Sequence, residues 1–487
     1  MTLVSLNADV LTYLLSFLST KHAFWLSLTT KQIHTLAMQQ VYRVITLKHP
    51  EHVAEVCTLL LRDPTNRLAY VRELRIGGSA LDNAEQAVAN QIVDVLLHPS
   101  SMMIQCLQLG RIEWIVWSEP KFVDALIALR SLTRLELEGI GTKSMAVIER
   151  LSSRPRSLCL QFMRFFTADE DLPSLFSNVQ RPAIASGSVV EQFTMSSGQA
   201  SLLLAPASCS QWLALQHLSI TNCNLPMSTF CFAFPNVKRI RLQGVTSTLR
   251  SHADNPCWTH LDFLDMGNIT SDLPGAIFVP WVVTCRVRYL AMGIDLRARI
   301  IRETALSIVK LTTPVILELT CNPHMNGKFW RTVADSMRGR LHYLVVILKR
   351  DERSSPATHI ELLEYWKWQM STYMSSLGIT CIRICCTSRA DRQVLQDIPT
   401  LLTNVTSSLR YIALEHYPSL ERDSWCDGRY DGCQSESTWW RIVRDGSRKS
   451  FARVATEIGE RVDAYFKSAD IESSLHFVDP LDGMQRN

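Results

Sequence analysis

The cysteines are the residues of this chain whose spacing comes closest to a chemical site. Cys381, Cys385 and Cys386 fall in one short apolar segment, and Cys381 and Cys385 share a face of the strand that this segment predicts. Two thiols on one face are too few for a structural zinc ion, which takes four ligands, and no two cysteines of the chain have the Cys-x-x-Cys spacing. The pattern favours packing of these cysteines in a core.

A second set of possible metal ligands lies in a polar loop further along the chain. His416, Cys426 and Cys433 could bind a metal there, but no fourth ligand accompanies them. The glycine patterns of nucleotide-binding loops and the Gly-x-Ser-x-Gly turn of serine hydrolases do not occur. We therefore expect no catalytic residues, no metal and no cofactor, and we expect that the protein is not an enzyme.

Size and composition direct attention to binding instead. The chain has 487 residues, more than the roughly 250 to 300 residues that one hydrophobic core serves, so it has to divide or repeat. Its 47% of hydrophobic residues exclude extensive disorder. Its 50 basic and 46 acidic residues leave a formal net charge of +4, which is too small to predict binding to nucleic acid.

Neither a membrane span nor a signal peptide is predicted. No run approaches the roughly 20 apolar residues that a membrane-spanning helix needs. The N-terminus has no early Lys or Arg, and Asp9 interrupts its apolar stretch, so we expect no secretory signal, no membrane partner and a cytoplasmic or nuclear location. The 14 cysteines are scattered through apolar segments, which is typical of free thiols in a reducing compartment.

The first segment of the chain, residues 6–47, predicts three short helices. Apolar residues recur at helical spacing as far as Leu18, and Asn7 is a good N-cap for this first helix. Ser19 can cap a second helix, and Thr30 precedes a third. About 40 residues rarely bury enough surface to be stable alone, and these helices carry apolar residues on more than one face. Another protein is expected to cover part of that surface.

This helical segment resembles the F-box. The resemblance rests on an opening Leu, a Val-Leu pair, a Leu-Ser-aromatic-Leu turn and a later Leu-Ser-Leu-Thr, between Leu6 and about Leu47. It implies docking to the Skp-type adaptor of cullin-RING ubiquitin ligases. The apolar positions that match the family pattern are the implied adaptor contacts: Leu6, Val10, Leu11, Leu14, Leu15, Phe17, Leu18, Leu26 and Leu28. The departures from the pattern are Asn7, His22, Ala23, Thr30 and Ile33, and they bear on adaptor affinity rather than on the fold.

The middle of the chain contains short Leu-x-x-Leu-x-Leu-like segments, each of which predicts a strand. Their anchor residues are Leu74, Leu107, Leu135, Leu158, Leu218, Ile240, Leu264, Leu290, Leu317, Leu344, Ile382 and Ile412. Neighbouring anchors lie 22 to 38 residues apart, except for one gap of 60 that we expect to contain a weak strand at Val190–Met195. This spacing is similar to that of leucine-rich repeats, in which strands and helices alternate.

The predicted fold class is α/β. We expect an F-box of three helices at residues 1–47, an irregular leucine-rich-repeat-like solenoid of parallel strands alternating with helices at 48–424, and a C-terminal loop and capping helix at 425–487. This arrangement resembles F-box proteins of the fungal type. The stretch Phe165–Pro206 reads as a long insertion in the array.

The C-terminal segment combines aromatic residues with a helical pattern. Trp425, Tyr430, Trp439 and Trp440 could contact a partner, but covering the last repeat explains them at least as well. After these residues we expect a helix that closes the open end of the solenoid and carries on one face Phe451, Val454, Ile458, Val462 and Phe466.

Parallel strands would also line up their polar residues. Side chains alternate along a strand, so the residues between the core positions form a column on the opposite face of the sheet. The candidate contacts to a protein target are Arg75, Glu136, Arg239, Arg241, Asp265, Glu318 and Arg383. Their mixed charges suit a protein segment better than a polyanion, although solvated faces of most solenoids look the same.

These expectations favour one function and leave a second open. The first is the substrate-recognition subunit of a Skp-cullin-F-box type ubiquitin ligase, which binds the adaptor through its N-terminal helices and an unknown protein substrate through the solenoid. The second is a non-catalytic leucine-rich-repeat scaffold whose F-box recruits no ligase, which the departures from the family pattern motivate.

Overall fold

The structure is a computed structural model that divides into two compact units, Met1–Val237 and Lys238–Asn487. It describes residues 6–82, 84–141, 143–144, 150–151, 153, 155–163, 192–196, 211–221, 224–225, 231, 233–247, 258–269, 285–323, 327–337, 339–350, 355–386, 389–405, 407–416, 436–445 and 448–468. Each unit combines helices with a largely parallel set of strands, so the predicted α/β class is confirmed.

The first unit begins with three helices whose N-caps are the residues that the sequence indicates. The helices are α1 Ala8–Ser16, α2 Thr20–Ser27 and α3 Lys31–Arg43. The side chains of Asn7, Ser19 and Thr30 accept hydrogen bonds from backbone amides of the first turn of each helix. These bonds satisfy amides that have no partner within the helix, which is why the three helices begin where they do.

The rest of the first unit alternates strands with helices. The strands are β1 Val44–Leu47, β2 Glu73–Ile76, β3 Cys106–Leu109, β4 Arg134–Ile140, β5 Ser157–Phe162, β6 Gln192–Ser196, β7 His217–Thr221 and β8 Asn224–Leu225. The helices are α4 Pro50–Arg62, α5 Gln86–Leu97, α6 Ile112–Ser118 and α7 Phe122–Ala128. Strands β1 to β7 pair in chain order, each parallel to the next. Helix α5 packs between α4 and α7, so these helices form a layer beside the sheet.

The register of these strands matches the repeat found in the sequence. Leu107 pairs with Leu74 on one side and with Leu135 on the other, and Leu135 pairs with Leu158. All four side chains are buried. The weak strand expected between Leu158 and Leu218 is β6, which pairs with β5 and β7, so its prediction is confirmed.

Strand β1 was not predicted, and it ties the N-terminal helices to the sheet. Helix α3 ends at Arg43, and β1 follows at once and pairs with β2 in parallel. The last four residues of the predicted helical domain therefore belong to the sheet. Most of the predicted insertion Phe165–Pro206 lies outside the described residues.

The second unit continues the alternation of strands and helices. Its strands are β9 Arg239–Gln243, β10 Thr246–Ser247, β11 His260–Ile269, β12 Arg286–Ile294, β13 Ile316–Cys321, β14 Tyr343–Leu348, β15 Cys381–Cys386, β16 Tyr411–His416, β17 Glu436–Asp445 and β18 Arg448–Val454. Its helices are α8 Arg299–Thr312, α9 Gly327–Ser336, α10 Pro356–Leu377, α11 Arg389–Val394, α12 Ile398–Val405 and α13 Thr456–Lys467. Strand β9 and strands β11 to β16 are parallel, and their anchor residues pair directly from Ile240 to Ile412.

The C-terminal part of the second unit differs from the expectation. Strand β17 pairs antiparallel with β16, and β18 pairs antiparallel with β17. Phe451 and Val454, which were expected on a helix, lie in β18, and the helix begins only at Thr456. The β-branched and aromatic residues of this stretch favour extended backbone. The loop that contains Trp425, Tyr430, Cys426 and Cys433 lies outside the described residues.

Candidate partner-binding surface

Helix α1 carries two apolar stripes on different faces. On the inner face, Leu11 and Leu15 are 2% and 3% exposed. The outer stripe follows the spacing i, i+3, i+4 and i+7, so its members share one face of the helix: Val10, Tyr13, Leu14 and Phe17. All four outer side chains are exposed, and the rings of Tyr13 and Phe17 meet edge to face with centroids 4.9 Å apart.

The inner stripe holds the three helices together. Leu15 packs with Ile33 and Ala37 of α3, and Leu18, Leu26 and Leu36 pack against this cluster while remaining half-buried. The His34 ring nitrogen Nδ1 lies 3.0 Å from the Ser27 carbonyl oxygen and joins α3 to the end of α2. The helical segment therefore has a core of its own, and this core does not use the outer stripe.

Helix α2 adds three exposed apolar side chains, Phe24, Trp25 and Leu28. Trp25 is also contacted by Lys21, whose Nζ lies 5.6 Å from the centroid of the indole ring. We call the seven exposed apolar side chains of α1 and α2 the N-terminal apolar surface, which comprises Val10, Tyr13, Leu14, Phe17, Phe24, Trp25 and Leu28.

The exposed apolar residues are unusually dense in this part of the chain. Together with Val44, the N-terminal apolar surface supplies 8 of the 21 large hydrophobic side chains that are exposed among the described residues. These eight occur within 35 residues. Single exposed apolar residues are normal on a protein surface, whereas a concentration of them marks a site that another surface covers.

The structure separates the nine predicted adaptor contacts into two groups. Val10, Leu14, Phe17 and Leu28 are exposed and available to a partner. The prediction needs correcting for Leu11 and Leu15, because both side chains are buried and leave almost no surface for a partner. Leu15 packs in the core of the helical segment instead. Leu6, Leu18 and Leu26 are half-buried. Tyr13, Phe24 and Trp25 were missed as contacts, although the helical spacing of Tyr13 from Val10 and Phe17 could have indicated it.

The strand face of the first unit carries the predicted target contacts Arg75 and Glu136. Both side chains are half-buried, and they lie in one row with Gln108 between them. The Arg75 Nη2 lies 2.7 Å from Glu73 Oε2, and the Gln108 amide donates to Glu136 Oε1 at 3.4 Å. This face offers paired polar groups that remain accessible to a partner.

The equivalent face of the second unit is less accessible. Arg239 is exposed and stacks on Phe263, with 5.3 Å between its guanidinium carbon and the ring centroid. Arg241 Nε lies 3.4 Å from Asp265 Oδ2, and Asp265 is buried. Glu318 is half-buried and accepts a hydrogen bond of 2.5 Å from the hydroxyl of Tyr289.

Arg383 lies at the centre of a buried cluster of charged groups. Its Nη2 is 2.5 Å from Glu415 Oε2, and its Nη1 is 2.8 Å from Asp463 Oδ1. Asp463 Oδ1 also accepts a hydrogen bond of 2.5 Å from the Tyr343 hydroxyl, and its Oδ2 lies 2.7 Å from Lys467 Nζ. The cluster therefore joins β14, β15 and β16 to helix α13.

The electrostatics of this cluster favour the charged forms of Arg383 and Asp463 and the neutral form of Tyr343. Burial opposes the charge of Arg383, but the acidic groups around it, including the carboxylates of Asp463 and Glu415, outweigh this effect and raise the pKa of Arg383 well above its usual value. Burial also opposes the charge of Asp463, but Arg383 and Lys467 outweigh it and lower the pKa of this carboxyl. Burial, and then the charge of Asp463, raises the pKa of Tyr343 far above its usual value, so the phenol stays protonated and donates.

Helix α13 covers the strand face beside this cluster. Its Val462 and Phe466 join the apolar cluster of the face, where Phe466 meets the ring of Tyr343 at a centroid distance of 5.2 Å. Arg288 of β12 donates hydrogen bonds of 2.9 Å to the last carbonyls of the helix, at Lys467 and Ser468. The helix thus closes a face of the sheet, whereas the sequence predicted that it closes the end of the array.

Two predicted target contacts need correcting because their side chains are buried. Arg383 and Asp265 are both buried, so neither side chain can reach a target protein in this structure. Arg383 is occupied by Asp463 and Glu415, and Asp265 by Arg241 and by the Gly267 amide, which donates at 2.9 Å. Asp463 and Tyr343 were missed by the sequence reasoning. The apolar spacing of Val462 and Phe466 shows a buried helix face but does not identify the strands that it covers.

Metal binding, thiol chemistry and membrane insertion concern other side chains in the described part of the chain. No group of three or more His, Cys, Asp and Glu side chains there is arranged to hold a metal ion. The nine described cysteines are thiols, eight of them buried, and burial raises the pKa of Cys57, Cys321 and Cys386 to about 12. No described helix has the length and apolarity to cross a membrane.

No protein-family model matches this chain, and no curated protein matches it either. Its function has to be inferred from its own surfaces. Among the described residues, exposed apolar side chains are most concentrated at the N-terminal apolar surface.

Proposed function

We propose that this protein is the substrate-recognition subunit of a Skp-cullin-F-box type ubiquitin ligase. The single observation that carries the proposal is the N-terminal apolar surface, which stands on a helical segment with a separate core of its own. Docking of the Skp-type adaptor would cover these side chains. Burying each large apolar side chain contributes roughly 1.5 to 3 kcal/mol, so a few of them are enough to drive binding.

The chain itself performs no covalent step in this proposal. The N-terminal helices bind the adaptor, and a leucine-rich-repeat-like solenoid holds a protein target near the ubiquitin-charged enzyme. Transfer is then accelerated because the target lysine has a high effective concentration at that enzyme. The accessible strand face of the first unit, with Arg75 and Glu136, is the favoured surface for the target.

The test is binding of the full chain to a purified Skp-type adaptor, measured by biolayer interferometry. The variant Phe17→Glu/Leu28→Glu places charges in the N-terminal apolar surface at residues that are 69% and 68% exposed, so it should leave the fold intact. We expect it to bind the adaptor roughly tenfold or more weakly than the unmodified chain. The matched control is Trp117→Glu/Ile300→Glu, which changes apolar residues that are 66% and 76% exposed elsewhere.

Two results would contradict the proposal. One is equal adaptor binding by the unmodified chain and the Phe17→Glu/Leu28→Glu variant. The other is no adaptor binding by the unmodified chain, which would leave the alternative function, a leucine-rich-repeat-like scaffold that recruits no ligase. The five departures from the F-box pattern motivate that alternative. In the structure, however, Asn7 and Thr30 cap helices, and Ala23 and Ile33 are buried, so four of the departures serve the local fold.

A further inference from the structure

The first 50 residues of the chain carry a net positive charge. Their basic residues are Lys21, Lys31, Arg43 and Lys48, and their single acidic residue is Asp9, so the segment has a formal charge of +3. The whole chain has a formal charge of +4, which leaves +1 for the other 437 residues. The part of the chain that carries the N-terminal apolar surface therefore has a net positive charge.

One of these cations contacts the apolar surface, and a second is close to it in the sequence. Lys21 is held over Trp25 by a cation–π contact of 5.6 Å, and Lys31 begins α3 three residues after Leu28. Both lysines are exposed, and neither forms an ion pair with a carboxylate within the described part of the chain. A partner that covers Trp25 and Leu28 would bring its own groups close to these two charges.

We propose that the partner of the N-terminal apolar surface presents an apolar centre with an acidic edge, whose carboxylates face Lys21 and Lys31. This inference rests on the proposed function, which supplies the adaptor as the partner, and it adds the charge that the partner has to present. A neutral or basic edge would leave two cations partly desolvated and without a counter-charge, which costs binding energy. An acidic edge would also speed the encounter of the two proteins.

An anionic membrane is another surface that can meet basic, apolar helices, and the structure favours it less. Membrane-surface helices carry Lys and Arg along an extended polar face, and lipid recognition usually takes clusters of about 4 to 8 of them. Here α1 has nine residues and no Lys or Arg, and α2 has eight residues and only Lys21. The same helices use their opposite face to pack on α3, as a protein-docking unit does.

The experiment compares two charge-reversal variants of the full chain. Lys21→Glu/Lys31→Glu reverses the two cations in question, and Lys121→Glu/Lys238→Glu reverses two exposed lysines elsewhere with the same change in net charge. Association with the purified Skp-type adaptor is followed by stopped-flow fluorescence at about 0.05 M and about 0.5 M salt. We expect the first variant to associate roughly tenfold more slowly than the unmodified chain at low salt, with a smaller difference at high salt, and the control variant to stay within about twofold. Circular dichroism checks that both variants are folded.

The outcomes separate this inference from the proposed function. Adaptor binding that is equally fast for both variants would contradict the inference that the partner presents carboxylates to Lys21 and Lys31. It would leave the ligase proposal in place. Absence of binding by the unmodified chain would overturn both. In a parallel arm, the chain is sedimented with phosphatidylserine–phosphatidylcholine vesicles. Sedimentation that is lost in Lys21→Glu/Lys31→Glu would assign these lysines to a lipid surface and overturn the inference, whereas a chain that stays in the supernatant supports a protein partner.

Discussion

Arg383 and Asp463 form an ion pair of 2.8 Å between strand β15 and helix α13, although 80 residues separate them in the chain. The pair is buried, and Glu415, Tyr343 and Lys467 complete its surroundings. Because Asp463 contacts three partners at once, it attaches the C-terminal helix to the sheet more specifically than apolar packing alone would. This attachment keeps Arg383 away from the surface. Its strength can be measured by changing Asp463.

Replacing Asp463 by Asn should weaken the attachment of α13. The variant leaves the buried Arg383 with one carboxylate instead of two, and removing one partner of a buried ion pair costs about 3 kcal/mol or more. We expect the free energy of unfolding of the second unit to fall by about that amount, and hydrogen exchange in α13 to become faster. The control Glu361→Gln, at an exposed position of α10, should change the free energy of unfolding by less than about 0.5 kcal/mol. Unchanged exchange in α13 would contradict the role given to Asp463.

The same carboxyl should make stability depend on pH in the acid range. Burial raises the pKa of Asp463, but Arg383 and Lys467 lower it by more, so its pKa in the folded chain is below the usual value of about 3.9 for an unfolded chain. The stabilisation from ionised Asp463 is therefore complete well above pH 4 and is lost as the pH falls through the folded pKa. Unfolding midpoints of the unmodified chain and of Asp463→Asn, measured from pH 7 to pH 2.5, should converge below about pH 4. A constant difference across this range would show that the ionised carboxyl is not the stabilising group.

Much of the strand pattern could be predicted because it depends on a local repeat. Each anchor, such as Leu107 or Leu344, is an apolar residue with a buried neighbour two positions away, and alternation along a strand puts both on the helix side. Parallel neighbours with the same repeat then pair anchor to anchor, as Leu344 does with Ile382. The three N-terminal helices were predictable for a similar reason, because Asn7, Ser19 and Thr30 mark their starts.

The accessibility of the predicted target residues could not be derived in this way. Arg383 and Arg75 occupy equivalent positions in their strands, and nothing near either residue in the sequence distinguishes them. They differ because α13 lies over the face that carries Arg383, which is a contact between segments far apart in the chain. The antiparallel strands β17 and β18 were missed because their apolar residues fit a helix face as well as a strand.

The glycine at the contact between α13 and β17 should not tolerate a side chain. A Cβ on Gly459 would lie 2.1 Å from Cγ of Trp439, whose side chain is fully buried. Alanine normally stabilises a helix interior by about 1 kcal/mol relative to glycine, but here the indole would have to move. We expect Gly459→Ala to lower the free energy of unfolding of the second unit by about 2 kcal/mol, whereas Ser375→Ala at an exposed position of α10 should be close to neutral.

A second substitution tests whether Trp439 is the cause of that loss. In the double variant Gly459→Ala/Trp439→Leu, the smaller side chain leaves room for the new methyl group. The combined loss in the free energy of unfolding should therefore be smaller than the sum of the two single losses, by roughly 1 kcal/mol. Strict additivity would indicate that Gly459 is required for another reason.

The two stripes of α1 should respond differently to truncation. Leu15 is 3% exposed and packs on Ile33 and Ala37, so Leu15→Ala removes buried contacts and should destabilise the helical segment by about 2 to 5 kcal/mol. Phe17 lies on the outer stripe, and Phe17→Ala should change the stability by less than about 0.5 kcal/mol. Hydrogen exchange of the α1 and α3 amides in the full chain distinguishes the two variants. Equal protection of α1 in both would mean that the inner stripe does not hold the helices together. Loss of protection in Phe17→Ala would mean that the outer stripe is part of the fold rather than a surface left for a partner.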